Sequence, residues 1–128
     1  MEHIENIENI ETVKFSDWQK INLRVGRIVK VENVEGADKL YKIIVNLGKE
    51  LGERTLVAGL KPYYSLEQLK DKRCIVFTNL EKRKIRGVES QGMLLAATDE
   101  NLFNNKEKET KVCLLQPDED IQEGSLIR

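Results

Sequence analysis

The 128-residue chain has one histidine, two cysteines, two prolines and one tryptophan, and aromatic residues make up only 5% of it. The shortages of histidine and cysteine each close a line of function. His3 is peripheral in the sequence, so histidine-based acid–base or nucleophilic catalysis lacks a donor among the remaining residues. Cys74 and Cys113 stand far apart, with neither C-x-x-C nor Cys/His spacing. They read as buried free thiols and offer neither a metal site nor a disulfide framework. Neither G-x-x-x-x-G-K-[ST] nor G-x-S-x-G occurs. Glu89 beside Ser90 reads as a structural pair, because neighbouring residues of an extended chain point apart. We therefore expect no catalytic residues, no metal and no cofactor. Nothing approaches the ~18–20 consecutive apolar residues of a membrane helix, and residues 1–15 are acidic, without the basic start of a signal peptide. The expectation is a soluble, cytoplasmic protein without a membrane partner.

What is present is 40% apolar and 34% charged, enough to bury one core in one domain. The net charge of −1 conceals a partition. Residues 21–98 hold fifteen Lys/Arg against nine Asp/Glu, or +6, while residues 1–20 carry −3 and residues 99–128 carry −4. Screening acts over ~8–10 Å, so a polyanion responds to the local surplus and not to the total.

The apolar pattern is that of strands. Leu23, Val25, Val29 and Val31 predict a long strand over 23–34, with a bulge or bend at Gly26. Tyr41, Ile43, Val45 and Leu47 alternate in a second strand, and 48–53 connect it to a third at 54–58. Ser65-Leu66-Glu67-Gln68 has the capping-box spacing of a short helix, and a fourth strand at 73–80 and a fifth at 93–98 follow. Three strands, a helix and two strands make an all-β, five-stranded oligonucleotide/oligosaccharide-binding (OB) barrel, with the helix between strands three and four. Ser16-Asp17-Trp18-Gln19 predicts another capping box and an N-terminal helix. Residues 1–14, with Ile4, Ile7, Ile10 and Val13 three apart, read as an arm, either frayed or forming a helix only on docking. Beyond residue 99 come strand candidates at 111–115 and 125–127. These ends exceed what the barrel needs, and we expect them to form a homodimer interface, with residues 15–128 as one domain.

Between strands four and five, four of the five residues from Lys82 to Arg86 are cationic. Lys82, Arg83, Lys84 and Arg86 suit the phosphates of an anionic polymer when a rigid scaffold presents them. Arg24, Lys39 and Lys42 extend this surface or serve as ordinary solvent-facing strand residues. Asn79, Ser90 and Gln91 carry groups suited to base edges or a 2′-hydroxyl, and Met93 suits packing on an exposed base. Turn capping by Ser90 and core filling by Met93 are the alternatives. Tyr41, Tyr63 and Tyr64 suit either base stacking or closure of the core.

The run Arg83-Lys84-Ile85-Arg86-Gly87-Val88-Glu89-Ser90-Gln91-Gly92-Met93 closely resembles the signature of the tRNA-binding domain attached to methionyl-tRNA synthetases. Leu23-Arg24-Val25-Gly26-Arg27-Ile28, Ala37-Asp38-Lys39-Leu40-Tyr41 and Val57-Ala58-Gly59-Leu60 agree with it, in family order. The resemblance implies an OB barrel and tRNA binding without chemistry. It implies Ser90 and Met93 at the RNA surface, a dimer built from the N-terminal helix and the C-terminal extension, and a synthetase catalytic subunit as partner. Three residues depart from the family pattern. Asn22 stands for a usual Asp, Ala58 for a common Ser, and Glu81-Lys82 for Lys-Pro, which places a carboxylate in the basic loop. The rival readings are a homodimeric chaperone or assembly module on the same frame and a general single-strand binder.

Overall fold

The computed structural model describes residues 10–100 and 110–128. One turn of helix, α1 (Phe15–Trp18), precedes the long strands β1 (Leu23–Val34) and β2 (Ala37–Asn46). A second helical turn, α2 (Gly48–Leu51), leads into β3 (Glu53–Ala58), and α3 (Leu66–Leu69) separates it from β4 (Arg73–Phe77). The short strands β5 (Arg83–Ile85), β6 (Val88–Ser90) and β7 (Met93–Leu94) follow, then β8 (Ala96–Glu100), β9 (Thr110–Leu114) and β10 (Leu126–Ile127). The main sheet runs β3-β2-β1-β4-β7, antiparallel throughout, and β10 joins it on β1. The pairs β5–β6 and β8–β9 form separate two-stranded sheets.

The fold is all-β and OB-like, but its sheets are open: β3 and β7, the two ends of the path, are not paired as strands. Of the five-stranded barrel expected from sequence, the structure shows the all-β, OB-like arrangement with its sheets open. Residues 90–92 cross the opening. The Gln91 N–H donates to the Thr55 carbonyl at 2.8 Å, the Thr55 N–H donates to Gln91 Oε1 at 2.9 Å, and the Val57 N–H donates to Ser90 Oγ at 3.0 Å. Side chains thus satisfy edge amides of β3 that a neighbouring strand would otherwise take.

Period-two alternation places Tyr41, Ile43, Val45 and Leu47 in the core, against Ile28, Leu56, Leu69, Cys74 and Val76. Gly26 is not the bulge. The register shifts against β2 lie between Ile28 and Lys30 and between Asn33 and Val34, and a Cβ on Gly26 would meet Leu47 Cδ2 at 3.0 Å, so the missing side chain makes room for the core. Burial pushes the Cys74 thiol up to about 12. Cys113 is exposed, against the expectation of two buried thiols.

The two expected capping boxes part company. At α3 both bonds form: the Gln68 N–H donates to Ser65 Oγ at 3.1 Å and the Ser65 N–H to Gln68 Oε1 at 2.8 Å. At α1 the cap is Lys14, two residues before the expected Ser16, and no side chain caps it. The difference is tertiary. Leu69 of α3 is fully buried, whereas no residue of α1 is. Ile4 and Ile7 lie outside the described residues, and Ile10 and Val13 are exposed on non-helical chain.

Candidate nucleic-acid interface

The basic run folds as a hairpin. Arg83 faces Ser90, Lys84 faces Glu89, and Ile85 faces Val88 across β5 and β6. Arg86 and Gly87, at φ 51° and 81°, form a two-residue turn with positive φ at both positions, the pattern of type I′ hairpins. The left-handed conformation costs an L-residue roughly 1–2 kcal/mol, which Gly87 avoids and Arg86 bears. Cross-strand partners share a face, so Lys84 and Glu89 project to one side and Arg83, Ile85, Val88 and Ser90 to the other. Ile85 and Val88 are half-buried and Ser90 is only 5% exposed, whereas Lys82, Arg83, Lys84 and Arg86 are all exposed.

The base of the hairpin is held at several points. Besides Ser90 and Gln91 on β3, Arg54 Nη1 reaches across to the Thr78 carbonyl at 2.7 Å and the Gln91 carbonyl at 3.5 Å, joining both ends of the loop. Nothing in the sequence singled out Arg54. It sits on β3, paired with Val45, where its guanidinium satisfies loop carbonyls. At the start of the loop, Asn79 Nδ2 donates to the Lys20 carbonyl at 2.6 Å and the Asn22 N–H donates to Asn79 Oδ1 at 2.9 Å. Thr78 Oγ1 donates to Asn22 Oδ1 at 2.6 Å, and Arg24 Nε donates to the same oxygen at 3.1 Å. The amide oxygen of Asn22 therefore keeps an acceptor for Arg24 although the family's carboxylate is missing.

The structure sorts the expected site residues by what their polar groups do. Asn79, Ser90 and Gln91 are engaged within the fold, and Ser90 Oγ also donates to the Gly92 carbonyl at 3.2 Å. Arg24 is turned toward the chain's end, with Nη1 on the Gly124 carbonyl at 2.9 Å. Lys42 lies on the outer face of β2 within 3.7 Å of Glu32, whose other carboxylate oxygen is 3.0 Å from Lys30. The Lys30 hydrogen bond and charge, with a smaller effect of Lys42, hold Glu32 below the usual carboxylate range. Lys39 is exposed, and its carbonyl accepts from the Lys61 N–H at 3.3 Å. Met93 is 43% exposed, opposite Phe77, and does not fill the core. Tyr41 and Tyr64 are structural: Tyr41 Oη donates to the Tyr64 carbonyl at 2.7 Å, and the Leu114 N–H donates to Tyr64 Oη at 3.0 Å.

Exposed cations thus gather on the hairpin. The β6 strand runs antiparallel to β3, with Gln91 at Thr55 and Ser90 at Val57, while Lys42 and Tyr41 face Val57 and Ala58 from the other side. Strands lie ~5 Å apart, so the hairpin and the first half of β2 occupy one region. Among the described residues, no three His, Cys, Asp or Glu side chains form a metal cluster, and no helix is long and apolar enough to cross a membrane.

Residues 23–126 match the family described as "Putative tRNA binding domain". The chain belongs to this family. It is 52% identical over 117 residues to the methionine–tRNA ligase of Pyrococcus horikoshii, a match covering 91% of this chain and 14% of the ligase. The chain therefore spans about a seventh of that relative's length. The MetRS-related protein of Pyrococcus horikoshii superposes with a TM-score of 0.80 at 33% identity, covering 93% of this chain and all of the other. The chaperone CsaA of Bacillus anthracis shares the fold, with a TM-score of 0.77 at 22% identity over 92% of this chain and 100% of its own. The tRNA-binding domain family is the one expected from the Arg83–Met93 run.

Proposed function

We propose that the chain grips tRNA through the β5–β6 hairpin and carries out no chemistry of its own. Four exposed cations, Lys82, Arg83, Lys84 and Arg86, project from a hairpin whose base is bonded to β3 through Ser90 and Gln91. This observation carries the reading, because phosphate contacts position an RNA best when the cations are held before it arrives. Met93 and Lys39 add direct contacts beside the hairpin, and Lys42 does so when it leaves Glu32. Arg24, Asn79, Ser90 and Gln91 act as positioning residues that hold the loop and its neighbours.

The kinship with methionine–tRNA ligases supports a methionyl-tRNA synthetase as catalytic partner, with this domain appended to it or encoded beside it. A weak tRNA contact becomes effective once tethered, since it raises the local concentration of tRNA at the catalytic unit. The cytoplasm is the compartment of that work. A homodimer fits the exposed apolar surface where α1 meets the C-terminal segment. Phe15 and Trp18, 70% and 37% exposed, line one cleft with Ile21, Leu126 and Ile127. A second copy brings the same surface and buries it isologously. The chaperone reading rests on a shared fold at 22% identity, and the relatives of higher identity include methionine–tRNA ligases.

The deciding experiment replaces Lys82, Arg83, Lys84 and Arg86 together by Gln and measures tRNA affinity across salt concentrations. Binding weakens, the melting temperature holds, and the log–log salt slope flattens by ~0.7–0.9 for each phosphate that is no longer neutralised. Unchanged affinity and slope in a folded variant would move the RNA site off the hairpin.

A further inference from the structure

We infer that Tyr63 is a base-stacking residue: its exposed ring, at the turn that follows β3, takes an unpaired nucleotide of the RNA beside the basic hairpin. This inference rests on the tRNA-binding reading and adds a ligand chemistry to it. Of the three tyrosines, Tyr41 and Tyr64 spend their hydroxyls on the segment of Tyr64 and on β9, while Tyr63 is 40% exposed. The turn that carries it is firmly seated. The N–H groups of Tyr63 and Tyr64 both donate to the Leu60 carbonyl at 2.9 Å, Leu60 is buried, and the next carbonyl along, that of Tyr64, is held by Tyr41 Oη. An aromatic ring on a backbone fixed on both sides loses little freedom when a base lands on it. No core role competes for that ring.

Position adds the second reason. The Lys61 N–H bonds the Lys39 carbonyl, which sets the turn against the start of β2 and brings two exposed or half-buried lysines to its flank. Because β6 is antiparallel to β3, the hairpin runs from Ser90 in the direction of Gly59 and the Tyr63 turn. The hairpin therefore extends toward the end of β3 from which the aromatic turn departs. Single-stranded recognition elsewhere combines the same two elements, a cationic track and a flat ring that accepts any base. The RNA suited to this arrangement has a stem for the hairpin cations and an unstacked base next to it.

The test compares wild type, Tyr63→Ala and Tyr63→Phe for binding to tRNA and to a fully paired RNA duplex of similar length, at one salt concentration and across a salt series. Tyr63→Ala is expected to lose about tenfold in tRNA affinity, within the range of a single base stack. It should keep its salt slope, its melting temperature and its affinity for duplex, while Tyr63→Phe binds tRNA like wild type. Wild-type affinity in Tyr63→Ala, measured beside a hairpin variant that does lose tRNA, overturns the stacking inference and leaves the RNA reading standing. Equal losses on tRNA and duplex also overturn it. Full tRNA affinity in both the hairpin variant and Tyr63→Ala removes the hairpin reading and the stacking inference together.

Discussion

Gly48 and Gly124 meet back to back, each because the other segment leaves no room for a side chain. A Cβ on Gly48 would lie 2.6 Å from the Glu123 carbonyl oxygen, and one on Gly124 would lie 2.7 Å from that of Leu47. Both glycines have positive φ, 92° and 94°. This contact seats the C-terminal segment on α2, next to the point where the Gly124 N–H donates to the Val25 carbonyl and the Val25 N–H donates to that of Ser125.

Alanine at either glycine is therefore expected to cost about 2 kcal/mol or more, combining left-handed strain of ~1–2 kcal/mol with a clash against backbone. Gly36→Ala is the control: its φ is 77°, but nothing lies within 4 Å of the added carbon. Urea titrations of the three variants should rank Gly48→Ala and Gly124→Ala well below Gly36→Ala. Equal midpoints would show that the tail adds no stability through this contact.

Ser90 and Met93 should separate cleanly. Ser90→Ala leaves the Val57 N–H without its partner and is expected to reduce stability by ~1–2 kcal/mol, with weaker tRNA binding as the hairpin loosens. Met93→Ala should leave the melting temperature near wild type, since the side chain is largely outside the core, and lower tRNA affinity by ~0.5–1.5 kcal/mol if it packs on a base. Melting and binding measured on the same samples distinguish the two. A Met93→Ala variant with full affinity removes that residue from the interface.

Acid should loosen the tail. Arg27 Nε donates to Glu123 Oε2 at 2.8 Å, and this bond, more than any other influence, holds Glu123 below its ordinary 4.5. A carboxylate depressed in the folded state stabilises the fold above its unfolded value, and that stabilisation is lost as pH falls through the folded one. Stability measured from neutral pH down through the carboxylate range should decline, and Glu123→Gln should begin lower and decline less. Glu32, depressed by Lys30, will keep part of the slope in that variant. Parallel curves for the two proteins would mean that the Arg27 contact does not couple to folding.

Light scattering at micromolar concentration should give twice the monomer mass, and Phe15→Ser with Trp18→Ser should return the monomer without unfolding the sheet. A monomeric wild type would show that the cleft between α1 and β10 is solvated.

How much of this was legible in the sequence depended on the range of the interaction. The alternation from Tyr41 to Leu47 reads out directly because each side chain meets the core alone, and the Ser65–Gln68 box because its two bonds lie within four residues. The same pattern at Ser16 misled, since α1 buries no residue in the core that would select that start. Arg24 read as a surface cation and proved to bind Gly124, a hundred residues away along the chain. No local pattern encodes such a partner. Arg73, whose guanidinium bonds the Glu119 carbonyl and lies 3.6 Å from Asp120, is another cation taken by the tail. The hairpin inside the basic loop was hidden for a different reason: its turn is Arg-Gly, and the usual two-residue signals begin with Asn, Asp or Gly.

Two amides of β3 carry a consequence of their own. Thr55 and Val57 protect their N–H groups with side chains of the segment that roots the hairpin, and not with a neighbouring strand's carbonyls. Their exchange with solvent deuterium is thus a built-in clock for hairpin undocking, readable one residue at a time. An RNA that holds the hairpin down should slow that clock from the outside, at two positions it never touches.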